Sequence, residues 1–247
     1  MRDDMVQKNI FLILIVLFCC FAIPASAEVS FTNDIDLYGD SVTFTLIETY
    51  TDENARDFRD EMDIDGDGVV NASETGKFEE DYLSNGGVQF LEYIMLDNGS
   101  VQLTIDSIGI HFEGAEGQVN SSVLNVTTTV QYGLDSTISS GEHSIWVLGH
   151  PLINKIELVL PDGTELVSYD GLDNSSQSFK GGRVVLEGAS GIRSFMNGDM
   201  PAFEYAVHVD IREKPFYKNK YFLPILIIIE IMLASIALYI IRMNKNK

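Results

Sequence analysis

The run Asp63-Ile64-Asp65-Gly66-Asp67-Gly68-Val69-Val70-Asn71-Ala72-Ser73-Glu74 determines how this 247-residue chain is divided. Carboxylates recur at every second position from Asp63 to Asp67, and a glutamate closes the run. A hard cation such as calcium takes about 6 to 8 oxygen ligands, so a tightly turned backbone must aim alternate side chains at one centre. Gly68 permits the turn, because a residue without Cβ adopts positive φ at little cost. The spacing therefore predicts a cation-binding loop.

The pattern D-x-D-x-D-G-x-V-N-x-x-E resembles the calcium loop of the EF-hand family at each of its defining positions. The alternative for a stretch so rich in Asp and Gly is an ordinary solvated turn. The resemblance implies an inserted helix–loop–helix over residues 51–84. The calcium ligands that it implies are the carboxylates of Asp63, Asp65 and Asp67, the backbone carbonyl of Val69, Asn71 through a water molecule, and both carboxylate oxygens of Glu74.

The segments on both sides of the loop have helical patterns. Ala55, Phe58 and Met62 form an apolar stripe at i, i+3 and i+7 before the loop, and Phe78 and Tyr82 are four residues apart after it. Gly76 weakens the second helix by about 1 kcal/mol relative to alanine, which predicts a short helix. EF-hands usually work in pairs, yet no second loop fits the pattern. The lone hand must therefore pair between molecules, pack against the rest of the chain, or bind calcium weakly.

The first 27 residues have the pattern of an export signal. A near-continuous apolar run over 10–23 follows Arg2 and Lys8, and Pro24-Ala25-Ser26-Ala27 ends in the small-x-small pattern of a cleavage site. We expect a signal peptide over 1–27 and a mature chain that begins at Glu28. An uncleaved N-terminal anchor is the alternative.

A second apolar segment over 222–241 has the length of a membrane span, since about 20 helical residues cross a bilayer of about 30 Å. It follows a juxtamembrane stretch over 216–221 and precedes a short tail over 242–247. Together with the export signal it predicts a single-pass cell-membrane protein with its ectodomain outside and its tail in the cytoplasm. Glu230, Ala234 and Ala237 share one face of this helix, which predicts a transmembrane helix partner or a homo-oligomer. The alternative is a protonated Glu230 that the bilayer tolerates without a partner.

The charge balance restricts the partners of the ectodomain. Residues 28–220 contain 34 Asp and Glu but 11 Lys and Arg, a net charge of −23. Such a field repels nucleic acid and attracts divalent cations and basic partners. A high-salt habitat is another sufficient explanation of the acidity, because salt screens the self-repulsion. Both cysteines, Cys19 and Cys20, lie in the predicted signal peptide, so disulfides cannot stabilise the mature domain. A calcium ion that binds the folded state can take that role by mass action.

Most of the ectodomain over 28–215 has strand patterns. Val42-Thr43-Phe44-Thr45-Leu46-Ile47 lies in the opening strands, and strand signals resume after the hand over 88–96, 101–112, 122–132, 143–148, 155–160, 165–169, 183–187 and 203–212. Turn sequences such as Asp97-Asn98-Gly99 and Pro161-Asp162-Gly163 separate them. The fold class predicted is mainly β, an antiparallel sandwich with an inserted EF-hand and one C-terminal transmembrane helix. A barrel or an α+β arrangement is the alternative.

Five N-x-S/T sequons predict a glycoprotein with a glycosylated exterior; their asparagines are Asn71, Asn98, Asn120, Asn125 and Asn174. Glycosylation and calcium binding would compete at Asn71, which is also an implied ligand. An acidic, cysteine-free, sequon-bearing ectodomain with a short basic tail resembles archaeal envelope proteins.

No set of residues indicates catalysis. The four histidines lack metal-ligand spacing, and Ser190 is one residue away from a nucleophile-elbow pattern. We expect a non-enzymatic, membrane-anchored cell-surface protein in which calcium is a structural brace or a docking element for an interaction module. The alternative is an accessory subunit of a membrane transporter, such as one for divalent metal uptake.

Overall fold

The structure is a computed structural model that describes residues 28–198, 200–218 and 221–245, with side chains throughout except at 85–88, 197, 216 and 238–245. The predicted signal peptide lies outside these residues. The strands are β1 Val29–Leu37, β2 Ser41–Thr51, β3 Val69–Val70, β4 Ile94–Leu96, β5 Leu103–Glu113, β6 Gly117–Gln118, β7 Val123–Leu134, β8 Glu142–Leu148, β9 Ile153–Val159, β10 Thr164–Asp170, β11 Leu172–Lys180, β12 Arg183–Ser190, β13 Ile192–Asn197 and β14 Met200–Glu213. The helices are α1 Asp52–Met62, α2 Ala72–Gly86 and α3 Phe222–Lys245.

The larger sheet has seven strands in the order β11-β12-β9-β1-β2-β7-β5. All of its pairs are antiparallel except β1 with β9, which are parallel and place Ile35 opposite Leu158. The predicted antiparallel fold is therefore wrong at this pair. The hairpin partner β2 covers one edge of β1, and β9 reaches the other edge through a long connection that lets it run in the same direction.

The second sheet has the order β10-β14-β8-β4, and β13 pairs with β14 outside this path. Its long strand β14 lies between β10 and β8. A separate two-stranded ladder joins β3 to β6. The prediction of a mainly β fold is confirmed.

A hydrophobic core lies between the two sheets, and we call it the sandwich core. Alternate residues of β1 and β2 point into it, and Ile35, Leu37, Val42 and Phe44 each have at most 1% of their surface exposed. Ile145 of β8 and Val209 of β14 enter from the second sheet. The alternation of buried and less buried residues follows from the period of two along a strand.

A smaller core lies beneath the acidic loop, and we call it the loop core. It consists of Ala55, Met62, Val70, Ile110, Phe112, Ala115, Val119, Leu124 and Val126. Helices α1 and α2 supply one side of it, while β5, β7 and the connection between them supply the other. The helix–loop–helix is thus packed on the outer end of the larger sheet.

Three local predictions need correction. Residues 88–96 are not one strand: a 3-10 turn over Gly87–Glu92 precedes β4, which lets the rings of Phe90 and Tyr93 meet at 5.2 Å. Helix α2 is not short, because it spans 15 residues and buries apolar side chains that offset the cost of Gly76. Strands β11 and β13 were not predicted, since β11 is an edge strand of mainly exposed polar residues and gives no apolar signal.

Helix α3 occupies the position of the predicted span and exposes apolar side chains around its circumference, including Leu223, Ile227 and Leu233. Within the residues that the structure describes, however, no helix is long and apolar enough to cross a membrane. Upstream of α3, Glu165 of β10 accepts hydrogen bonds from Arg212 at 2.7 Å and from Lys218 at 2.6 Å. The contact with Lys218 attaches the segment before α3 to the second sheet.

Candidate metal site

Helix α1 fixes the first end of the acidic loop. One stripe of this helix, formed by Ala55, Arg59 and Met62, is buried to 1% exposure or less. Ala55 and Met62 were predicted on this stripe, whereas Phe58 is half-buried beside it. Because Met62 is held in the loop core, Asp63 leaves the helix at a fixed position.

The three aspartates of the loop point their carboxylates at a common region. Oxygens of Asp63, Asp65 and Asp67 lie within 4.8 Å of one another, and this group could hold a metal ion. The turn depends on Gly66 at φ 72° and Gly68 at φ 84°, where a side chain would be strained. The structure therefore brings together three of the six implied ligands.

Backbone N–H groups orient these carboxylates. Asp63 Oδ1 accepts from Gly66 N at 2.9 Å, and Asp63 Oδ2 accepts from Gly68 N at 2.8 Å. Asp65 Oδ1 accepts from Asp67 N at 3.2 Å, and Asp67 Oδ1 accepts from Val69 N at 2.8 Å. Both carboxylate oxygens of Asp63 accept hydrogen bonds from the turn, whereas Asp65 accepts through Oδ1.

Asn71 and Glu74 form a capping box at the start of α2. Asn71 Oδ1 accepts from Ser73 N at 3.0 Å, and Glu74 Oε2 accepts from Asn71 N at 2.9 Å. The Asn71 amide also donates to Glu74 Oε2 at 2.7 Å. The pattern N-x-x-E is a known signal for such a cap, so this role could have been read from the sequence.

Glu74 lies apart from the three grouped aspartates. Its side chain is 5% exposed, and its Oε1 accepts from Ile64 N at 2.9 Å and from Asp65 N at 3.3 Å. The last residue of the run thus ties both ends of the loop together. Its carboxylate must exchange some of these hydrogen bonds before it can bind an ion.

The loop pairs with another part of its own chain. Val69 and Val70 of β3 lie opposite Gln118 and Gly117 of β6, in the connection between β5 and β7. A further hydrogen bond joins Val119 N to the carbonyl of Gly68 at 3.1 Å. Of the three arrangements open to a lone hand, packing against the β domain is the one observed.

Arg59 joins α1 to the same connection. Its guanidinium is buried and donates to the carbonyls of Gly114, Ser121 and Val123, with 3.0 Å from Nε to the Gly114 oxygen. Burial lowers the pKa of Arg59, although an arginine still carries its charge near neutrality. A charged residue is ordinarily expected on the surface, so the buried position of Arg59 could not be predicted from its residue type.

Four aromatic rings join the helices to the sheet. The Phe58 ring lies 4.9 Å from that of Tyr50 and 5.6 Å from that of Phe78, and the Phe78 ring lies 5.8 Å from that of Phe112. Aromatic pairs at these distances contribute about 0.5–1.5 kcal/mol beyond their buried area. Both helices are therefore fixed to β2 and β5 as well as to each other.

Away from the acidic loop, one of the scattered histidines has a defined setting. His143 Nδ1 lies 2.7 Å from Asp97 Oδ2, and its Nε2 lies 2.7 Å from the carbonyl of Ser140. Two acceptors around one ring favour the doubly protonated imidazolium. Burial alone lowers the pKa of His143, but these hydrogen bonds outweigh it and raise the pKa above its ordinary value.

Comparisons with known proteins do not extend these observations. No protein-family model and no curated relative matches the chain. Among solved structures, the AChBP of Bulinus truncatus is similar at 8% identity and a TM-score of 0.20, over 76% of this chain and 88% of that chain. A TM-score this low carries no argument about fold or function.

Proposed function

We propose that this protein is a membrane-anchored extracytoplasmic calcium-binding protein in which the ion braces a β-rich surface domain. The observation that carries the proposal is the grouping of Asp63, Asp65 and Asp67 in a loop whose next residues pair with the domain itself. An ion at these carboxylates would act on a segment that is already attached to β6.

The donor set suits calcium. Hard cations prefer oxygen ligands, and three carboxylates on a turn with two positive-φ glycines provide them with little rearrangement of the backbone. Asp63, Asp65, Asp67 and Glu74 would hold the ion directly, with the Val69 carbonyl, and Asn71 would bind through a water. The bound ion would reduce the repulsion among these carboxylates and stabilise the folded chain by mass action.

A brace fits the packing better than a switch does. Sensor hands respond to calcium by opening the angle between their helices and exposing an apolar groove. Here the Arg59 hydrogen bonds and the β3–β6 ladder fix the hand to the connection between β5 and β7. Opening the helices would disrupt the loop core. Calcium binding would therefore tighten the contact between the hand and the connection from β5 to β7.

The proposed membrane anchor is the segment over 222–241. A helix that is apolar all round is stable when lipid or protein covers it, and Leu223, Ile228 and Ile231 have from 57% to 62% of their surface exposed. Glu230, Ala234 and Ala237 are also exposed and would serve helix association within the bilayer. With the export signal over 1–27, this anchor would place the acidic domain outside the cell and the tail over 242–247 inside.

Calcium titration of the full-length chain in detergent tests the proposal. We expect the melting temperature to rise at millimolar calcium, since extracellular sites of this kind have Kd values of about 10⁻⁴–10⁻³ M. At ten times Kd the free energy of unfolding would increase by about 1.4 kcal/mol. Magnesium at equal concentration would have a smaller effect, because it demands a more rigid octahedral site.

Asp65→Asn is the sharpest variant, because the amide oxygen can still accept from Asp67 N while the charge is removed. We expect at least a tenfold loss of calcium affinity and little change in stability without calcium. Asp57→Asn is the matched control, since Asp57 is an exposed aspartate on α1 outside the loop. The proposal is wrong if neither the melting temperature nor the calorimetric heat responds to calcium, or if both variants respond like the parent chain.

A further inference from the structure

A second candidate site lies toward one end of the sandwich, next to the sandwich core residues Ile35 and Phe44. A cleft of about 390 Å³ opens where β1 and β9 begin and where β2 and β8 end. Its walls include Phe31, Asn33, Leu46, Glu48, Tyr93 and Leu152, and we call it the sheet-end cleft. Ligand sites in proteins have volumes of about 300–1,000 Å³, so the cleft can take a small molecule.

Two polar side chains interrupt the apolar inner face at this end. Along β1 the inward positions are Phe31, Asn33 and Ile35, and Asn33 is 3% exposed with no hydrogen-bond partner for its Oδ1. Buried carbonyl oxygens are nearly always paired. An unpaired acceptor beside a cleft is therefore a position where a bound molecule could supply the missing donor.

Glu48 supplies the second acceptor. In the β1–β2 register Phe31 lies opposite Glu48 and Asn33 opposite Leu46, so Asn33 and Glu48 are diagonal neighbours on one face, about 7–8 Å apart. Tyr50 donates its hydroxyl hydrogen to Glu48 Oε2. In the part of the chain that the structure describes, the ion pairs of Lys, Arg and His involve carboxylates other than Glu48.

The surroundings of Glu48 favour an added positive charge. Burial raises the pKa of Glu48, and the Tyr50 hydrogen bond opposes that rise. The same negative charge helps to raise the pKa of the nearby hydroxyls of Tyr82 and Tyr93, where burial is the larger cause. A cation beside Glu48 would offset the free-energy cost of burying its negative charge. The strongly acidic domain would attract such a cation.

The remaining walls are apolar and aromatic. The Phe31 ring meets the His150 ring edge to face at 5.9 Å, and Tyr93, which directly precedes β4, also lines the cleft. Leu46 adds aliphatic surface, and Leu152 is 44% exposed at the rim. Aromatic faces attract organic cations and also pack against apolar groups, whereas a hydrated metal ion would find few ligands here.

We propose that the sheet-end cleft binds a small organic ammonium ion with an apolar body. The N–H groups of the ammonium donate to Asn33 Oδ1 and to the Glu48 carboxylate, while the apolar part lies against Phe31, Leu46 and Tyr93. This site is separate from the acidic loop, and it does not depend on the proposed role of calcium.

Isothermal titration calorimetry of the full-length chain in detergent, with protein-free micelles as the blank, tests the proposal. Three probes share one apolar body and differ in charge: 2-phenylethylamine, 2-phenylethanol and phenylacetate. We expect saturable binding of the amine, with the alcohol at least tenfold weaker and the carboxylate without measurable heat. Equal binding of the alcohol and the amine, or no saturable heat from the amine at millimolar concentration, would overturn the proposal.

Variants locate the site. Glu48→Gln removes the carboxylate charge and Asn33→Leu removes the amide acceptor, and we expect at least a tenfold loss of amine affinity in both. Glu113→Gln changes an exposed glutamate on β5 and should bind the amine like the parent chain. Leu152→Trp fills the rim without touching either acceptor, so it tests the location even if an acceptor variant does not fold. Unchanged amine binding by folded Glu48→Gln or by Leu152→Trp contradicts the assignment.

Discussion

The sandwich core and the loop core of this protein are closed by different kinds of interaction. In the sandwich core, strands from two sheets bury aliphatic and aromatic side chains such as Leu37 and Phe44 almost completely. In the loop core, Ile110 and Phe112 keep 9% exposure, and the covering segment is held by a buried arginine and a two-residue ladder.

This difference shows where a bound ion can act. The sandwich core depends on apolar area that no ion touches, so its contribution to stability is constant when calcium changes. The loop core depends on where the segment from α1 to α2 lies, and the acidic loop is the middle of that segment. Calcium would therefore act directly on the loop core, which meets the sandwich core at Tyr82.

The largest effect is expected in the sandwich core. Phe44→Ala removes a ring that is 1% exposed and lies 5.8 Å from the Tyr93 ring, so the free energy of unfolding should fall by about 3–5 kcal/mol. The additional stability gained from calcium should equal that of the parent chain. Denaturant unfolding with and without calcium measures both quantities, and a lost calcium response would show that the two cores are coupled.

A smaller effect is expected from Arg59→Met, which keeps the side-chain volume but removes every donor to the Gly114, Ser121 and Val123 carbonyls. The cost should be about 2 kcal/mol, because partly buried carbonyls lose charged partners. Hydrogen exchange should quicken in α1 and β6 and stay slow in β8 and β14. Arg56→Met on the exposed face of α1 is the control, and uniform loss of protection across both sheets would contradict separate cores.

The smallest effect is expected at His143, which belongs to neither core. Its folded-state pKa is raised, so its stabilising contribution is complete below the unfolded pKa of about 6.5 and is lost as pH rises through the folded value. The stability difference between the parent chain and His143→Gln should therefore shrink from pH 5.5 to 8.5. His111→Gln serves as the control, and a difference that grows with pH would show that His143 is not held as an imidazolium.

The sequence predicted the position of the helix–loop–helix and most strands, because both depend on local periodicity. It did not predict that β3 pairs with β6, since Gly117 and Gln118 form two residues of ladder with no apolar pattern. The buried position of Arg59 was missed for a related reason. The carbonyls of Gly114 and Ser121 that it binds are more than 50 residues away along the chain. The pattern of side chains in a sequence does not indicate such backbone partners.

The two candidate sites also differ in whether their residues are close together in the sequence. The three aspartates share one loop, so their spacing sufficed to predict that they converge. Asn33 and Glu48 come together through the register of two strands. A signal for them was present, because Asn33 occupies the inward phase set by Ile35 and Leu37, where a polar residue is unexpected.

The position of β14 has a mechanical consequence. This strand pairs with β10 on one side and β8 on the other, and it leads directly through Lys214 and Lys218 toward α3. Tension applied at the C-terminal helix would pull β14 along its own axis, so its interstrand hydrogen bonds would be loaded in shear and would have to fail together. Peeling an edge strand breaks such bonds one at a time and needs less force. The fold thus places a shear-resistant strand where the domain joins its helix.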